Sequence, residues 1–337
     1  MRLGVLDIGS NAAQLQVVDA LAGAPPLPIR SVKMPTRLGQ EASIERSIGQ
    51  QGIDRIVAAV QHAIEAARGM DVDQLYPFVT AVIRDADNRE EVLRQVAETT
   101  GMYLRFLSGE QEARLTYFAV RSWYGWQAGR LLNIDIGGGS MELAFGRDAI
   151  PDLAVSLPLG AGRVSTSFLR PDPPSQAQVK DLRRYVRQQV REVANRVQWD
   201  GTPRRVVATS KTFKQLARLG GAACGRKGPF VRRTVSRSAI ATAIRRLATV
   251  DAQERSQFRG IKPARAWQIL GGAVVAYETM RCLGIERADV SPWALREGIM
   301  LGYLSSIRMP EGELVLQPLT FDRSDGTATV TSLVPKG

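Results

Sequence analysis

Asp135, Gly137, Gly138, Gly139, Ser140 and Glu142 fall within one short run, Leu131 to Leu143, reading LLNIDIGGGSMEL. The run reads as a buried strand, a sharp glycine turn and a second strand from Met141. Consecutive glycines let the backbone take φ > 0 and leave their amides unshielded by any Cβ. An array of bare N–H groups suits phosphate oxygens. Two carboxylates beside such a cradle would repel the ligand unless a cation lay between them. A hard, oxygen-liganded ion such as Mg2+ meets that need. The other reading is a tight hairpin whose glycines serve geometry alone. A second copy weighs against it, because Asp7, Gly9 and Leu15 repeat Asp135, Gly137 and Leu143 at a constant offset, with Ser10 and Asn11 in the turn. Two such hairpins, one per domain, suggest a duplicated α/β domain with a phosphate pinched between the halves, since sites at domain interfaces are common.

Two further stretches carry groups of chemical use. The strand-like run Leu75 to Ile83 delivers Thr80, Arg84 and Asp85 at its C-terminal end, where ligands gather in α/β sheets. Arg84 could clamp a phosphate there, or form a surface ion pair with Asp85 or Asp87. Ser108 and Gln111 have capping-box spacing, which starts a helix ending near Trp123 and puts Glu112 in its first turn. A carboxylate in that position can deprotonate a water that attacks a bound phosphoryl group. Acidic residues also gather in first turns for the helix dipole alone. Two motifs fall short. Gly160-Ala161-Gly162-Arg163 begins like a dinucleotide fingerprint but has Ser165 where a third glycine belongs. Thr209-Ser210-Lys211-Thr212 has the Lys-Thr pair of a P-loop without its glycines, although a helix N-terminus can bind phosphate without them.

Composition narrows the chemistry further. The chain has 337 residues, 44% of them hydrophobic, which suits two domains with cores of their own. Its one histidine, His62, points off the apolar stripe of Ile53, Ile56, Val57, Val60 and Ile64 and reads as a surface residue. Ser-His-Asp catalysis, Cys-His catalysis and histidine-rich metal sites are thereby disfavoured. Cys224 and Cys282 make neither a metal-ligand spacing nor a disulfide framework, so a reducing cytoplasm is the expected setting. No run reaches the length of a membrane span, and the direct passage from Met1-Arg2 into a strand reads as leaving no room for a cleavable signal peptide. The net charge of +12 implies anionic partners. Nucleic acid is disfavoured by the missing zinc-finger spacing and by an aromatic content of 6%, whereas a linear polyphosphate satisfies the charge equally well.

Around these groups the spacing predicts strands near 29–34, 103–107, 153–159, 205–208 and 288–291. Helices are expected near 53–68, 88–99, 240–249, 264–283 and 294–305. A long helix follows the proline-rich break at Arg170 to Ser175, with Val179, Leu182, Val186, Val190, Val193 and Val197 as its stripe. Its Arg183, Arg184, Arg187 and Arg191 read as a solvated face rather than an anion track. The basic loop from Gly220 to Arg237 is a candidate for gripping the distal part of a long polyanion. From Met309 to Gly337 there is little core-forming pattern, as in a loosely held tail.

Six motifs in order give the chain a resemblance to the exopolyphosphatase / guanosine pentaphosphate phosphohydrolase family. They are DIGSN at Asp7 to Asn11, T-x-x-x-RDA at Thr80 to Ala86, SGEQEAR at Ser108 to Arg114, NIDIGGGSMEL at Asn133 to Leu143, SLPLGAGR at Ser156 to Arg163 and WALREG at Trp293 to Gly298. The resemblance extends from Arg2 to about Leu304 and matches the short form of the family. It implies an α/β fold of the actin, acetate/sugar-kinase and chaperone-ATPase superfamily, with two ribonuclease-H-like domains flanking a central cleft. The domains would be 1–124, completed by a C-terminal helix at 294–307 that packs back on it, and 125–293, with a tail at 308–337.

By the same resemblance Glu112 is the general base and Arg84 the phosphate-gripping arginine. Gly9, Ser10 and Asn11 form one phosphate loop, and Gly137, Gly138, Gly139 and Ser140 the other. Asp135 and Glu142 organise Mg2+, or Mn2+ in its place, and the attacking water. The implied activity is removal of the terminal phosphate of inorganic polyphosphate, or of the 5′-terminal phosphate of guanosine pentaphosphate. The chain would be cytoplasmic, without membrane or nucleic-acid partners, and a homodimer is the oligomer to test. Four departures bear on substrate choice. Ala12 and Ala81 stand where hydroxyl residues are usual, Thr209 to Thr212 replaces a glycine-rich turn, and Trp267 sits where an acidic residue is frequent. A polyphosphate- or alarmone-binding regulator that has lost turnover is the alternative these motivate, and a kinase of the same superfamily is a more distant one.

Overall fold

Each glycine turn joins a pair of antiparallel strands. In the first copy β1 (Arg2–Ile8) pairs with β2 (Ala12–Asp19), and Asp7 lies opposite Gln14. β2 pairs in turn with β3 (Arg30–Pro35), which is followed by the short α1 (Leu38–Glu41) and by α2 (Gln50–Arg68). The chain then enters β4 (Gln74–Val79), parallel to β1, continues through α3 (Ala81–Arg84) and α4 (Arg89–Thr100), and ends this sheet with β5 (Arg105–Phe106), parallel to β4. Alternation puts Leu6, Ile8, Leu15 and Val17 in a core with Ile53, Ile56 and Val60 of α2 and with Val92 and Val96 of α4.

The second copy repeats the plan. α5 (Gly109–Tyr124) leads to β6 (Leu131–Ile136), β7 (Met141–Gly146) and β8 (Leu153–Leu157), all antiparallel neighbours. α6 (Ala161–Phe168) and the long α7 (Gln176–Trp199) come next. They are followed by β9 (Arg205–Thr209), parallel to β6, and by α8 (Ser210–Leu219). β10 (Thr234–Ser236), α9 (Arg237–Leu247), α10 (Ala252–Arg255), α11 (Pro263–Ala266) and α12 (Ile269–Cys282) precede β11 (Arg287–Val290), which is parallel to β9. The strand orders β3-β2-β1-β4-β5 and β8-β7-β6-β9-β11 are therefore the same order built twice. That is the ribonuclease-H-like arrangement implied by the motifs.

The computed structural model describes residues 1–21, 24–41, 47–199, 201–304 and 319–320. Two compact units divide it, Met1–Ser108 with Ile299–Gly337, and Gly109–Gly298. The last helix, α13 (Leu295–Leu304), carries Tyr303, whose ring stacks on Tyr76 of β4 with centroids 3.9 Å apart. Burial pushes the Tyr76 phenol up to about 12 and Tyr303 higher still. Most of the tail expected at 308–337 lies outside the described residues. Within it, β12 (Leu319–Thr320) pairs antiparallel with Leu75 and Gln74.

Some expected elements differ. β4 stops at Val79, because Thr80 turns the chain: its N–H donates to the Ile8 carbonyl (3.2 Å), and its own carbonyl accepts from Ile83 and Arg84 (2.9 and 3.1 Å). Arg84 thus sits on a single helical turn past the strand rather than at the strand end. The helix expected at 264–283 is two, α11 and α12, with Trp267 and Gln268 at the break. The arginines of α7 are not only a solvated face. Arg183 and Arg187 approach the buried Glu278 of α12 at 3.8 and 3.9 Å, beside Arg281 at 2.9 Å.

Candidate active site

The second hairpin places its two carboxylates by register. Asp135 lies directly opposite Glu142, Glu142 opposite Ser156, and Thr209 opposite Asp135 on the other side. Directly paired residues share a face of the sheet, so the four side chains form one row across β8, β7, β6 and β9. Glu142 is buried, and its Oε1 accepts from the Ser156 hydroxyl at 2.9 Å. Mg2+ is held by one or two carboxylates with water and substrate phosphate making up the rest. This pair fits that demand, whereas no group of three or more His, Cys, Asp or Glu that could hold a metal occurs among the described residues.

Glu112 is brought to this row by α5. The helix packs through Ala113, Tyr117 and Val120 on Leu131, Ala144 and Val207. Those strand residues share a face with Asp135 and Glu142 by the two-residue alternation. Near its C-terminal end, Arg121 donates to the carbonyls of Gly129 and Gly146, at 2.6 and 3.3 Å, at the start of β6 and the end of β7. Running back from Arg121 to Glu112 covers roughly 13 Å of helix, and Leu131 to Asp135 covers roughly 13 Å of strand. Glu112, itself 7% exposed, is thus carried on the helix that covers the face bearing the Asp135–Glu142 pair, with a matching rise from the Arg121 end. The WALREG motif fixes the depth of α5. Trp293 packs edge-on against Trp123 at 5.1 Å, Glu297 caps the start of α13 by accepting from Ala294 N (2.8 Å), and a Cβ on Gly298 would lie 2.0 Å from the Leu115 carbonyl oxygen.

The glycine turn is shaped from behind. Gly137 N donates to Ser140 O at 2.9 Å and closes it. The Gly137 carbonyl accepts from Ala161 N (2.9 Å) and the Gly138 carbonyl from Gly162 N and Arg163 N (2.9 and 3.0 Å). The Gly139 carbonyl accepts from Arg163 Nε at 2.7 Å. In a trans peptide the carbonyl and the next residue's N–H point opposite ways. The cis bonds of the described chain precede Pro171 and Pro173, so the N–H groups of Gly138, Gly139 and Ser140 all point away from α6. That is the amide orientation a phosphate cradle requires. Gly160 makes the approach possible, since a Cβ there would lie 2.2 Å from Gly139 C and 2.4 Å from Ser140 N.

In the first unit the same device recurs. Gly9 N donates to Ala12 O (3.2 Å), the counterpart of the Gly137–Ser140 bond. The Gly9 carbonyl accepts from the Thr36 hydroxyl at 2.7 Å. The Ser10 carbonyl accepts from Gly39 N (2.9 Å) and that of Asn11 from Thr36 N and Arg37 N (3.2 and 3.4 Å). The N–H groups of Ser10, Asn11 and Ala12 accordingly point away from the 36–39 segment. Asp7 Oδ1 and Thr80 Oγ1 flank Gly9, 3.8 and 3.7 Å from where its Cβ would be. Arg84, 12% exposed, makes the ion pair with Asp85 (2.9 Å) and donates to the Leu107 carbonyl (3.2 Å).

The sequence-predicted residues thus fall into two sets. Glu112, Asp135, Gly137, Gly138, Gly139, Ser140 and Glu142 come together in the second unit; Gly9, Ser10, Asn11 and Arg84 belong to the first. Thr36, Ser156, Gly160, Arg163 and Thr209 escaped the sequence reading as site residues. Ser156, Gly160 and Arg163 were visible only as members of the SLPLGAGR motif and Thr209 only as the start of the P-loop-like stretch; Thr36 carried no signal. At the departures, Ser210 holds a φ of 87°, a conformation natural to glycine. Trp267 packs beside Gly162 and the Gly138 carbonyl, and Ala81 is buried.

Comparison with known proteins agrees with this architecture. The model of the Ppx/GppA phosphatase family matches residues 17–307. The chain is 44% identical over 306 residues to Exopolyphosphatase 1 of Mycobacterium tuberculosis, covering 91% of this chain and 89% of that protein. It is 42% identical to Exopolyphosphatase 1 of Mycobacterium leprae, over 91% and 90%. Among solved structures, the Aquifex aeolicus PPX-GPPA enzyme is 25% identical with a TM-score of 0.74, over 90% of this chain and 99% of that one. An exopolyphosphatase from Cytophaga hutchinsonii, 19% identical with a TM-score of 0.82 over 91% and 99%, shares the fold. By family match and by identity across most of both chains, this protein belongs to the Ppx/GppA phosphatase family and is a hydrolase acting on acid anhydrides.

Proposed function

We propose that the protein is an exopolyphosphatase that removes orthophosphate from the end of inorganic polyphosphate. The observation that supports this reading is the Asp135–Glu142 pair set opposite one another on the sheet face that α5, the helix carrying Glu112, covers, next to a glycine turn whose amides all face one way. Glu112 takes a proton from water as the water oxygen attacks the terminal phosphorus. The bridging oxygen leaves with the bond pair on the shortened chain. The amides of Gly138, Gly139 and Ser140 stabilise the equatorial oxygens, and the Gly9–Asn11 turn and Arg84 are the phosphate-binding groups proposed within the first unit. Asp135 and Glu142 would hold Mg2+, with Mn2+ as its substitute, and Mg2+ supplies charge neutralisation at the phosphoryl oxygens. Ser156 keeps Glu142 in its rotamer.

The second reading is removal of the 5′-terminal phosphate from guanosine pentaphosphate, supported by the motif resemblance and compatible with the same residues. One assay tests both: phosphate release by purified protein in Mg2+ from polyphosphates of several lengths, guanosine pentaphosphate and ATP. The proposal expects polyphosphate to be the best substrate. Faster release from guanosine pentaphosphate favours the second reading, and tight polyphosphate binding without release in Mg2+ or Mn2+ would identify a binding regulator.

A further inference from the structure

Thr36 and Arg163 lie outside both glycine turns, yet each holds one of them by its carbonyls. Glycine peptides rotate at little steric cost, so a cradle made bare enough to admit phosphate is also a cradle whose amides can turn over. Something must hold the far side of each peptide. In the second unit Arg163 does so twice, through its N–H on Gly138 O (3.0 Å) and its Nε on Gly139 O (2.7 Å). In the first unit Thr36 does so twice, through its hydroxyl on Gly9 O (2.7 Å) and its N–H on Asn11 O (3.2 Å). Thr36 is wholly buried, so water cannot replace its hydroxyl, and removing it leaves a buried carbonyl short of a donor. Two unrelated residue types thus each place one side-chain and one backbone donor on carbonyls of the duplicated turns, though not on the same pair of positions.

We propose that Thr36 and Arg163 are positioning residues for phosphoanhydride hydrolysis, each within its own unit: Thr36 holds the amide of Ser10, and Arg163 those of Gly139 and Ser140, in the orientation that phosphate binding needs. The assignment rests on the reading of the two turns as phosphate cradles. Its test compares Thr36→Val, which keeps the shape and loses the hydroxyl, with Thr36→Ser, which keeps the hydroxyl. Arg163→Met is compared with Arg163→Lys in the same way. For each, kcat and KM with polyphosphate and the inhibition constant of orthovanadate are measured, with melting curves as the check on folding.

Thr36→Val and Arg163→Met are expected to lower kcat by about 10–100-fold, the usual range for residues that orient a functional group. KM should move much less, and vanadate inhibition should weaken by the same factor as kcat falls. Thr36→Ser should recover most of the rate, and Arg163→Lys more than Arg163→Met. Wild-type kcat and vanadate inhibition in folded Val and Met variants would overturn the assignment, as would equal losses in Thr36→Ser and Thr36→Val. If Thr36→Val does not fold, the half-buried Arg163 pair decides alone. Glu112→Gln assayed alongside separates the levels. Full turnover in that variant refutes the functional reading, whereas an inactive Glu112→Gln beside fully active Val and Met variants refutes only the positioning role.

Discussion

Asp135 and Glu142 act as a pair because the register sets them side by side, and only the second hairpin has such a pair; the first has Asp7 opposite Gln14. Asp135→Asn and Glu142→Gln are therefore expected to raise the Mg2+ concentration needed for half-maximal rate by at least tenfold, in the range of about 10–100-fold typical of lost metal-orienting groups. Ser156→Ala should do the same more weakly, as it removes one hydrogen bond to Glu142. An unchanged Mg2+ titration in both carboxylate variants would show that the pair is structural. These two acids were legible in the sequence because a strand–turn–strand run fixes which residues face each other. Thr36 was not, because its partner, Gly9, is 27 residues away in the chain and nothing local marks it.

At the scale of elements, the turns depend on what presses against them. A Cβ at Gly160 would meet Gly139 and Ser140 backbone at 2.2 and 2.4 Å. Gly160→Ala is accordingly expected to cost about 1–3 kcal/mol of stability by overpacking and to lower kcat together with it, measured by urea unfolding and phosphate release. Ser210 works in the opposite sense. Its φ of 87° strains a residue with a Cβ, so Ser210→Gly should raise the melting temperature, by roughly 1 kcal/mol of relieved strain. The stacked Tyr76 and Tyr303 give a pH test. Both phenols are raised by burial, Tyr76 to about 12, so their neutral forms are favoured in the fold. That contribution is complete below the unfolded value near 10 and is lost as pH rises through about 12. The melting temperature should fall over that window, less steeply in Tyr76→Phe; equal slopes would mean the pair does not couple to folding.

Strand and helix placement were largely legible, since the two-residue and helical periods of the apolar residues survive in both copies, whereas the arrangement of the strands came from the family resemblance. The exceptions have local causes. Thr80 ends β4 early by bonding the neighbouring strand end, a contact invisible to periodicity. The Gly160–Arg163 turn looked like a failed dinucleotide fingerprint because its glycines face a protein backbone instead of a ligand.

For the whole molecule, the duplication explains how one sequence pattern appears twice with one strand order, and the net charge of +12 suits the polyanionic substrate proposed. The basic loop expected to grip distal phosphate is not slack. Arg233 donates to the carbonyls of Ala223, Cys224, Gly228 and Val231 at 2.7–3.0 Å, leaving Arg226, Lys227 and Arg232 on the surface. The double variant Arg226→Glu with Lys227→Glu should raise KM for long polyphosphate several-fold, an effect that shrinks with added salt, while tripolyphosphate kinetics stay as they were. Equal changes for both substrates would remove the loop from the binding surface.

Glu112 is the group proposed to activate water. Its most direct test is the single-turnover rate of phosphate release from polyphosphate in Mg2+ for Glu112→Gln, beside a binding measurement on the same variant. The expected result is a rate lowered by about 10²–10⁴-fold with polyphosphate still bound. Release at the wild-type rate would contradict the mechanism.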